Sequence, residues 1–252
     1  MGCHTALTIT GPAAGSQAIV DCQFAGKFIT TTNSNLTMIG VTVRNAYSGV
    51  NGGAILFGVN VYAMNIAQNP GNYPMQLLVQ SCTFLNCATR GSGGAIYFLA
   101  SDFMNGTFNA SAGVSPYVAV IMQGTTFNNC SAVYDNTYKP EDELGLGGAA
   151  CLLFYQTNTN GSLLLLSDLT VSNCSAQTYG GGMHICETHG GTKAGQYQYT
   201  VQRSTFTDCR AIWGGGIEFL QVSSCLEHVY VLSHSDLFRI LPPTATASYS
   251  RT

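Results

Sequence analysis

Short segments with alternating apolar and polar positions recur along the chain, and each recurrence has the same order of parts. An alternating segment ends at an Asn or Asp, a Gly-rich turn follows, and a second alternating segment begins after Gly-Gly. One copy is FLNCATRGSGGAIYF at residues 84–98, and four further versions match it in outline. Alternation with period two predicts β-strands with one face inward, so the repeated phrase predicts repeated strands.

The turn residues of the five copies fall in one column. They are 35 to 44 residues apart, and a period in this range is typical of repeat architectures. Uneven spacing around a constant motif predicts constant strands joined by loops of variable length. Asn and Asp tolerate the left-handed backbone conformation, so we expect each to turn the chain and to hydrogen-bond to the neighbouring copy. The members of this turn ladder are Asn45, Asn86, Asn129, Asn173 and Asp208.

Apolar residues also fall in columns, and we expect these columns to line a shared interior. If equivalent strands stack in parallel about 4.8 Å apart, similar side chains of successive strands contact one another in the interior. The sequence therefore predicts an all-β fold, a right-handed parallel β-helix (solenoid) with about three short strands per rung. Before the turn the columns are Leu36, Leu77, Val120, Leu164, Tyr199; Met38, Val79, Met122, Leu166, Val201; and Val43, Phe84, Phe127, Val171, Phe206. After Gly-Gly they are Ile55, Ile96, Ala150, Met183, Ile217; and Phe57, Phe98, Leu152, Ile185, Phe219.

A single domain accounts for most of the chain. The pattern predicts a β-helix domain over residues 1–225, a final partial rung over 226–240 and a disordered tail over 241–252. A sandwich or propeller is disfavoured because no Asn-Gly hairpin joins the alternating segments. A β-helix exposes a strand edge at each end, and neither terminus offers an amphipathic capping helix. We therefore expect the coil to continue into further β-helix in a longer protein.

Composition excludes several classes of protein. Hydrophobic residues make up 46% of the chain and charged residues 8%, against about 25% charged in a typical domain, which argues against disorder. The nine Lys and Arg residues form no basic patch, so no nucleic-acid partner is predicted. No apolar run reaches the roughly 18 residues of a membrane helix, so no transmembrane segment is predicted. No cofactor is predicted either.

The Gly-Gly phrase resembles a known repeat. GGAI at residues 52–55 and 93–96 resembles the GGAI and F-x-x-N repeats of the chlamydial polymorphic outer-membrane proteins, and more broadly the right-handed β-helix (pectin lyase-like) superfamily. The likeness covers about residues 5–220. Three copies are variants, and the position after the turn holds Cys where the family has Asn. The variant copies are Gly147-Gly148-Ala149-Ala150, Gly181-Gly182-Met183 and Gly215-Gly216-Ile217.

The resemblance implies surface display. It implies an adhesin-like or structural role and an extracellular or cell-surface location, associated with the outer membrane in a bacterium. The leading prediction is a non-enzymatic module that binds glycan or protein, with residues 99–117 and 131–146 as its longest loops and contact points. The alternative is a polysaccharide lyase or glycoside hydrolase of the pectin lyase-like superfamily. Fold does not decide between them.

The cysteines suggest disulfides. Ten cysteines point to an oxidising compartment. Four of them occupy one rung position, and rungs about 4.8 Å apart place their Cα atoms within the usual disulfide range of about 4.4–6.8 Å. We predict the pairs Cys87–Cys130 and Cys174–Cys209, or the same pairing shifted by one, with Cys82 as another partner. A ladder of free, inert thiols is the alternative.

No catalytic set can be assembled from the predicted outward columns. Glycoside hydrolysis needs two carboxylates on one substrate face. The outward column after Gly-Gly, which we expect to face solvent, contains one carboxylate, and Asp168 and Arg203 are predicted to form a surface ion pair. This column is Leu56, Tyr97, Cys151, His184 and Glu218.

Weak candidates for two further kinds of site are present. His184, Cys186 and His189, with Glu218 on the next rung, are weak candidates for zinc ligands, although exposed strand residues are the simpler interpretation. Among the Asn-x-Ser/Thr sequons, those in insertion loops are the better candidates for glycosylation. These are Asn105, Asn109 and Asn160.

Overall fold

Parallel strands form the whole of the regular structure that the computed structural model describes. The described residues are 6–12, 18–32, 34–60, 75–101, 118–133, 145–155, 162–188, 198–220, 229–231 and 238–241. Within them, 24 strands lie in four sheets, and successive strands visit the sheets in cyclic order. The chain is therefore a parallel β-helix, as predicted. A crossover between parallel strands of one sheet is right-handed in nearly all proteins, which agrees with the predicted sense of the coil.

Each sheet collects equivalent strands from successive rungs. Sheet 1 contains β1 (Ala6–Thr10), β4 (Asn35–Ile39), β8 (Met75–Gln80), β12 (Val118–Gln123), β16 (Ser162–Ser167) and β20 (Gln198–Gln202). Sheet 2 contains β2 (Ala18–Asp21), β5 (Val41–Arg44), β9 (Thr83–Leu85), β13 (Thr126–Asn128), β17 (Thr170–Ser172), β21 (Ser204–Thr207) and β23 (Val229–Val231). Sheet 3 contains β6 (Tyr47–Ser48), β10 (Ala88–Thr89), β14 (Ser131–Ala132) and β18 (Ser175–Ala176). Sheet 4 contains β3 (Ile29–Thr32), β7 (Ile55–Asn60), β11 (Ile96–Ser101), β15 (Ala150–Tyr155), β19 (Met183–Thr188), β22 (Ile217–Leu220) and β24 (Phe238–Leu241).

A complete rung has four strands where about three were predicted. The additional strand is the two-residue strand of sheet 3, which lies in the stretch between the turn Asn and Gly-Gly. Such a strand is too short to show alternation in sequence. At the C-terminal end, β23 and β24 extend sheets 2 and 4. Of the predicted tail over residues 241–252, Leu241 ends β24 and the rest lies outside the described residues.

The predicted inward columns line one continuous core. Their members pair in register between neighbouring rungs and are at most 1% exposed. Like rings stack on like: the ring centroids of Phe84 and Phe127 lie 5.1 Å apart, and those of Phe57 and Phe98 lie 5.6 Å apart. Each such burial contributes about 1.5–3 kcal/mol, so the stacked columns supply most of the stability.

The turn ladder has the conformation that its residue types predict. All five members have φ between 52° and 55°. Asn129 donates from Nδ2 to Oδ1 of Asn86 at 2.8 Å, and Asn86 donates in the same way to Asn45 at 3.3 Å. The amide side chains therefore tie neighbouring rungs together along one corner. A second corner with positive φ, between sheets 1 and 2, was not predicted; it contains Gly40, Ser81, Gly124, Asp168 and Arg203.

The Gly-Gly corner also forms, with a correction to the alignment of two copies. Gly93 has φ of 73°, and a Cβ on Gly94 would overlap the carbonyl oxygen of Gly148 on the next rung. The first position therefore needs glycine because its φ is positive, and the second needs glycine because the backbone of the next rung leaves no room for a Cβ. The sequence alignment placed Gly181-Gly182 and Gly215-Gly216 in these two positions. In the structure the positions belong to Gly180-Gly181 and Gly214-Gly215, and Gly182 and Gly216 stand where other copies have Ala.

Candidate functional site

The outward side of sheet 4 between β15 and β22, hereafter the covered face, holds most of the reactive side chains singled out from the sequence. Cys151, His184 and Glu218 are in register on consecutive rungs, as predicted. The prediction that this column faces solvent is wrong for these three residues, which are at most 2% exposed, whereas Leu56 and Tyr97 of the same column are partly exposed. The same face is apolar at Leu153 and Cys186, which belong to a second buried cluster outside the coil. Alternation identifies which residues share a face but not what packs on that face.

A buried histidine–carboxyl pair lies at the centre of the covered face. Nδ1 of His184 lies 3.2 Å from Oε2 of Glu218. With Glu218 ionised, Nδ1 is the donor, because a carboxylate only accepts hydrogen bonds. Within the described residues Nε2 of His184 is buried and has no hydrogen-bond partner, and the ring of Tyr179 lies 5.9 Å away. Removing one member of such a pair would leave the other buried without compensation.

The weak metal candidates are only partly brought together. His184 and Glu218 form the buried pair, Cys186 lies two residues further along β19, and His189 lies outside the described residues. Among the described residues, no three His, Cys, Asp or Glu side chains converge on a point that could hold a metal ion. The arrangement therefore resembles a histidine oriented by a carboxylate more than a set of metal ligands.

Glu187 is a buried carboxylate that was not singled out from the sequence. It follows Met183 and Ile185 in the inward column of β19, it is in register with Phe154, and it is 1% exposed. The alternation of MHICET alone places this residue inward. The coil interior therefore contains a carboxyl group near the end of this strand.

The predicted disulfides are not present, and the four stacked cysteines are free thiols. The prediction used the Cα spacing alone. In a column of equivalent residues the Cβ atoms are also one rung apart, about 4.8 Å, which exceeds the 3.5–4.5 Å typical of disulfides. The thiols instead donate to main-chain carbonyls of the corner, as in the 3.6 Å contact from Sγ of Cys130 to the oxygen of Asn128. Cys82, the other suggested partner, is also free and donates to Gln80.

The environment of this thiol ladder makes it unreactive. Cys87, Cys130, Cys174 and Cys209 are at most 2% exposed. Burial raises the pKa of the Cys130 thiol well above its ordinary value, whereas hydrogen bonding with Cys130 lowers the pKa of Cys87 and of Cys174. Burial keeps all four sulfur atoms away from reagents, so these cysteines are structural side chains at the corner after the turn ladder.

A regular feature that was not predicted lies on the outward side of sheet 2, hereafter the threonine face. The residue directly before the inward Phe or Val of each copy is Thr, and these threonines pair in register across five rungs. The sequence contains the signal, since every copy has Thr at this position. The column is Thr42, Thr83, Thr126, Thr170 and Thr205.

The predicted surface ion pair between Asp168 and Arg203 is confirmed. The guanidinium donates from Nε at 2.7 Å and from a second nitrogen at 2.8 Å, and both side chains are about half exposed. The hydrogen bond from Arg203 lowers the pKa of Asp168. An exposed pair of this kind contributes little to stability.

The remaining candidates lie outside the described residues. These are the glycosylation candidates Asn105, Asn109 and Asn160, and most of the two long loops. In the part of the chain that is described, no helix has the length and apolar character needed to cross a membrane.

Comparison with known proteins gives no relative. No family model, no curated protein and no solved structure significantly matches the chain. The likeness to the chlamydial polymorphic outer-membrane proteins and to the pectin lyase-like superfamily therefore stays a prediction from the repeat motif.

Proposed function

We propose that the chain is a non-enzymatic binding module, adhesin-like or structural, that acts on a cell surface or in a secreted protein. The observation that supports this proposal is the threonine face: a row of threonines, four of them at least partly exposed, that repeats over five rungs of a packed core. A stacked core holds such a surface in one geometry, so little conformational entropy is lost when a partner binds. The partner is a glycan or a protein.

The proposed location depends on the repeat motif. The cysteine count suggests an oxidising compartment, but the thiol-ladder cysteines that carried the disulfide prediction are not joined in disulfides. Surface display is therefore supported by the resemblance of the GGAI repeats.

A carbohydrate-active enzyme is the alternative function, and one observation favours it. The covered face places an imidazole and a carboxylate, His184 and Glu218, on neighbouring rungs of one outward column. Both are buried, so a substrate could reach them only if the covered face opened.

Two assays separate these functions. Arrays of glycans and of cell-surface proteins should show saturable binding, and neutral and uronic-acid polysaccharides should be recovered uncleaved. Turnover that disappears in His184→Gln or Glu218→Gln would establish the enzymatic alternative. Absence of binding to every ligand on the arrays would reject the binding module.

A further inference from the structure

The threonine face is the most regular surface in the described part of the chain. Its five threonines occupy neighbouring rungs, so the row extends over about 19 Å at about 4.8 Å per rung. Thr170 is exposed, and Thr83, Thr126 and Thr205 are partly exposed. Each side chain presents a hydroxyl and a methyl group. The same small amphipathic group therefore repeats at a fixed interval.

This uniformity is specific to one column. Strand propensity favours Thr at any exposed strand position, so propensity alone would place threonines on several columns. The neighbouring outward column of the same strands and the outward column of sheet 1 have instead diverged between rungs. The first is Arg44, Leu85, Asn128, Ser172 and Thr207, and the second is Thr37, Leu78, Ile121, Leu165 and Thr200.

One hydroxyl of the row lacks a hydrogen bond. Thr42 is only 4% exposed, and within the described residues its Oγ1 has no partner. Thr42 pairs in register with Ile19 of β2, and its burial leaves Thr83, Thr126, Thr170 and Thr205 as the part of the row that a ligand can reach.

The form of the pattern indicates the form of the ligand. Of the three outward strand columns compared above only the threonine column is uniform, so the pattern matches a ligand that is periodic in one dimension, which is a linear polymer lying along the coil axis. Successive sugars of an extended β-linked glycan follow one another at a distance of the same order as a rung. Hydroxyls can donate to and accept from sugar hydroxyls, and threonine methyls can pack on the C–H faces of the rings.

Charge indicates which glycans fit. The threonine column carries no charge, and the cations beside it are each engaged by an aspartate. Arg44 lies 2.9 Å from Asp21, and Arg203 lies 2.7 Å from Asp168. An acidic polysaccharide would find no uncommitted cation in these two pairs, so a neutral chain is the better match.

We infer that the threonine face binds an extended, neutral, β-linked glycan whose successive sugars contact successive rungs. This inference rests on the proposed function and names its ligand class and its surface. The other ligand with this period is a second copy of the chain, whose rungs repeat at the same interval.

The test compares two double variants that remove the same groups from different faces. Thr126→Val with Thr170→Val deletes two hydroxyls of the threonine face and keeps the branched shape. Thr37→Val with Thr200→Val makes the same change on partly exposed positions of sheet 1. Cellohexaose is titrated into the full chain and into each variant by calorimetry, polygalacturonate serves as the acidic comparison, and sedimentation reports self-association.

We expect cellohexaose to bind the full chain, to bind the threonine-face variant about tenfold more weakly, and to bind the sheet 1 variant unchanged. Polygalacturonate should bind no better than cellohexaose. Unchanged binding in the threonine-face variant would overturn the inference and leave the proposed function standing. A failure of cellohexaose to bind, or a dimer that dissociates only in the threonine-face variant, would also overturn the inference. Only failure on the glycan and protein arrays rejects the proposed function itself.

Discussion

The threonine face and the covered face have the same origin and opposite surroundings. Both are outward columns of parallel strands, in register from rung to rung. On the threonine face the column is uniform and four of its five residues are at least partly exposed, whereas on the covered face it varies from Cys151 to His184 to Glu218 and is buried. The outward side of a solenoid is therefore not a single environment.

The difference shows how a repeat can acquire separate roles on separate sheets. A face that remains accessible can present the same group at every rung, which suits recognition of a repeating partner. A face that becomes covered adds a second apolar cluster, and each of its rungs must be packed individually. Polar groups on such a face need partners, which the pair of His184 and Glu218 provides for each other.

The largest effect is expected from breaking the buried pair. His184→Ala should reduce the free energy of unfolding by about 3–5 kcal/mol, because Glu218 would remain buried without its partner. Denaturant unfolding measures this loss. Arg203→Ala, which breaks the exposed pair with Asp168, is the control and should barely change the midpoint. Equal small changes in both variants would mean that the covered face is open in solution.

A matched pair of leucines makes the comparison for apolar side chains. Leu153 on the covered face is 3% exposed, whereas Leu85 on the threonine-face strand β9 is only partly buried. Leu153→Ala should cost about 2–5 kcal/mol, as truncation in a packed site does, and Leu85→Ala less than about 1 kcal/mol. Calorimetric or denaturant unfolding measures the loss of stability in the two variants. A larger loss in Leu85→Ala than in Leu153→Ala would contradict the assignment of the covered face.

Thiol reactivity extends the comparison to the interior. Cys22 is partly exposed, whereas Cys151 of the covered face and Cys130 of the thiol ladder are fully buried. In the native protein, iodoacetamide should modify Cys22 at least about a hundredfold faster than the other two, because a buried, protonated thiol is inert. Peptide mass spectrometry measures the rates. After denaturation without reductant all three cysteines should react. If Cys130 stayed unmodified, the predicted disulfide at Cys130 would be supported.

The smallest effect is expected at the exposed ion pair. The hydrogen bond from Arg203 lowers the folded-state pKa of Asp168, so the pair stabilises the fold above the ordinary aspartate pKa of about 3.9. This stabilisation is lost as the pH falls through the lowered value. Asp168→Asn should therefore leave the melting temperature nearly unchanged at pH 7 and make its decline below pH 4 slightly less steep. A large loss at pH 7 would show that this corner is more buried than the structure indicates.

The interior could be predicted from sequence because alternation and repetition both indicate the same inward-facing residues. Phe84 and Phe127 occupy equivalent places in two copies, so one inward assignment implies the other, and the register follows. The same reasoning identified the turn ladder, since few residue types tolerate positive φ. The glycine corner was displaced by one residue in two copies, because three consecutive glycines at residues 180–182 and 214–216 leave the alignment ambiguous.

The outward faces could not be predicted in the same way. Alternation places Leu153 and His184 outward, but what packs on them depends on chain distant in sequence. The disulfide prediction was wrong for a different reason: a Cα spacing that permits a bridge does not ensure that the Cβ atoms approach.

The central claim is that equivalent residues of successive copies lie one above another in a single dry interior. Nuclear Overhauser spectroscopy on the chain with labelled phenylalanine tests this most directly, because ring protons give cross-peaks only at short range. The stacked rings predict cross-peaks between Phe84 and Phe127 and between Phe57 and Phe98, whose ring centroids are 5.1 Å and 5.6 Å apart. Absence of both cross-peaks in the folded protein would contradict the stacked coil.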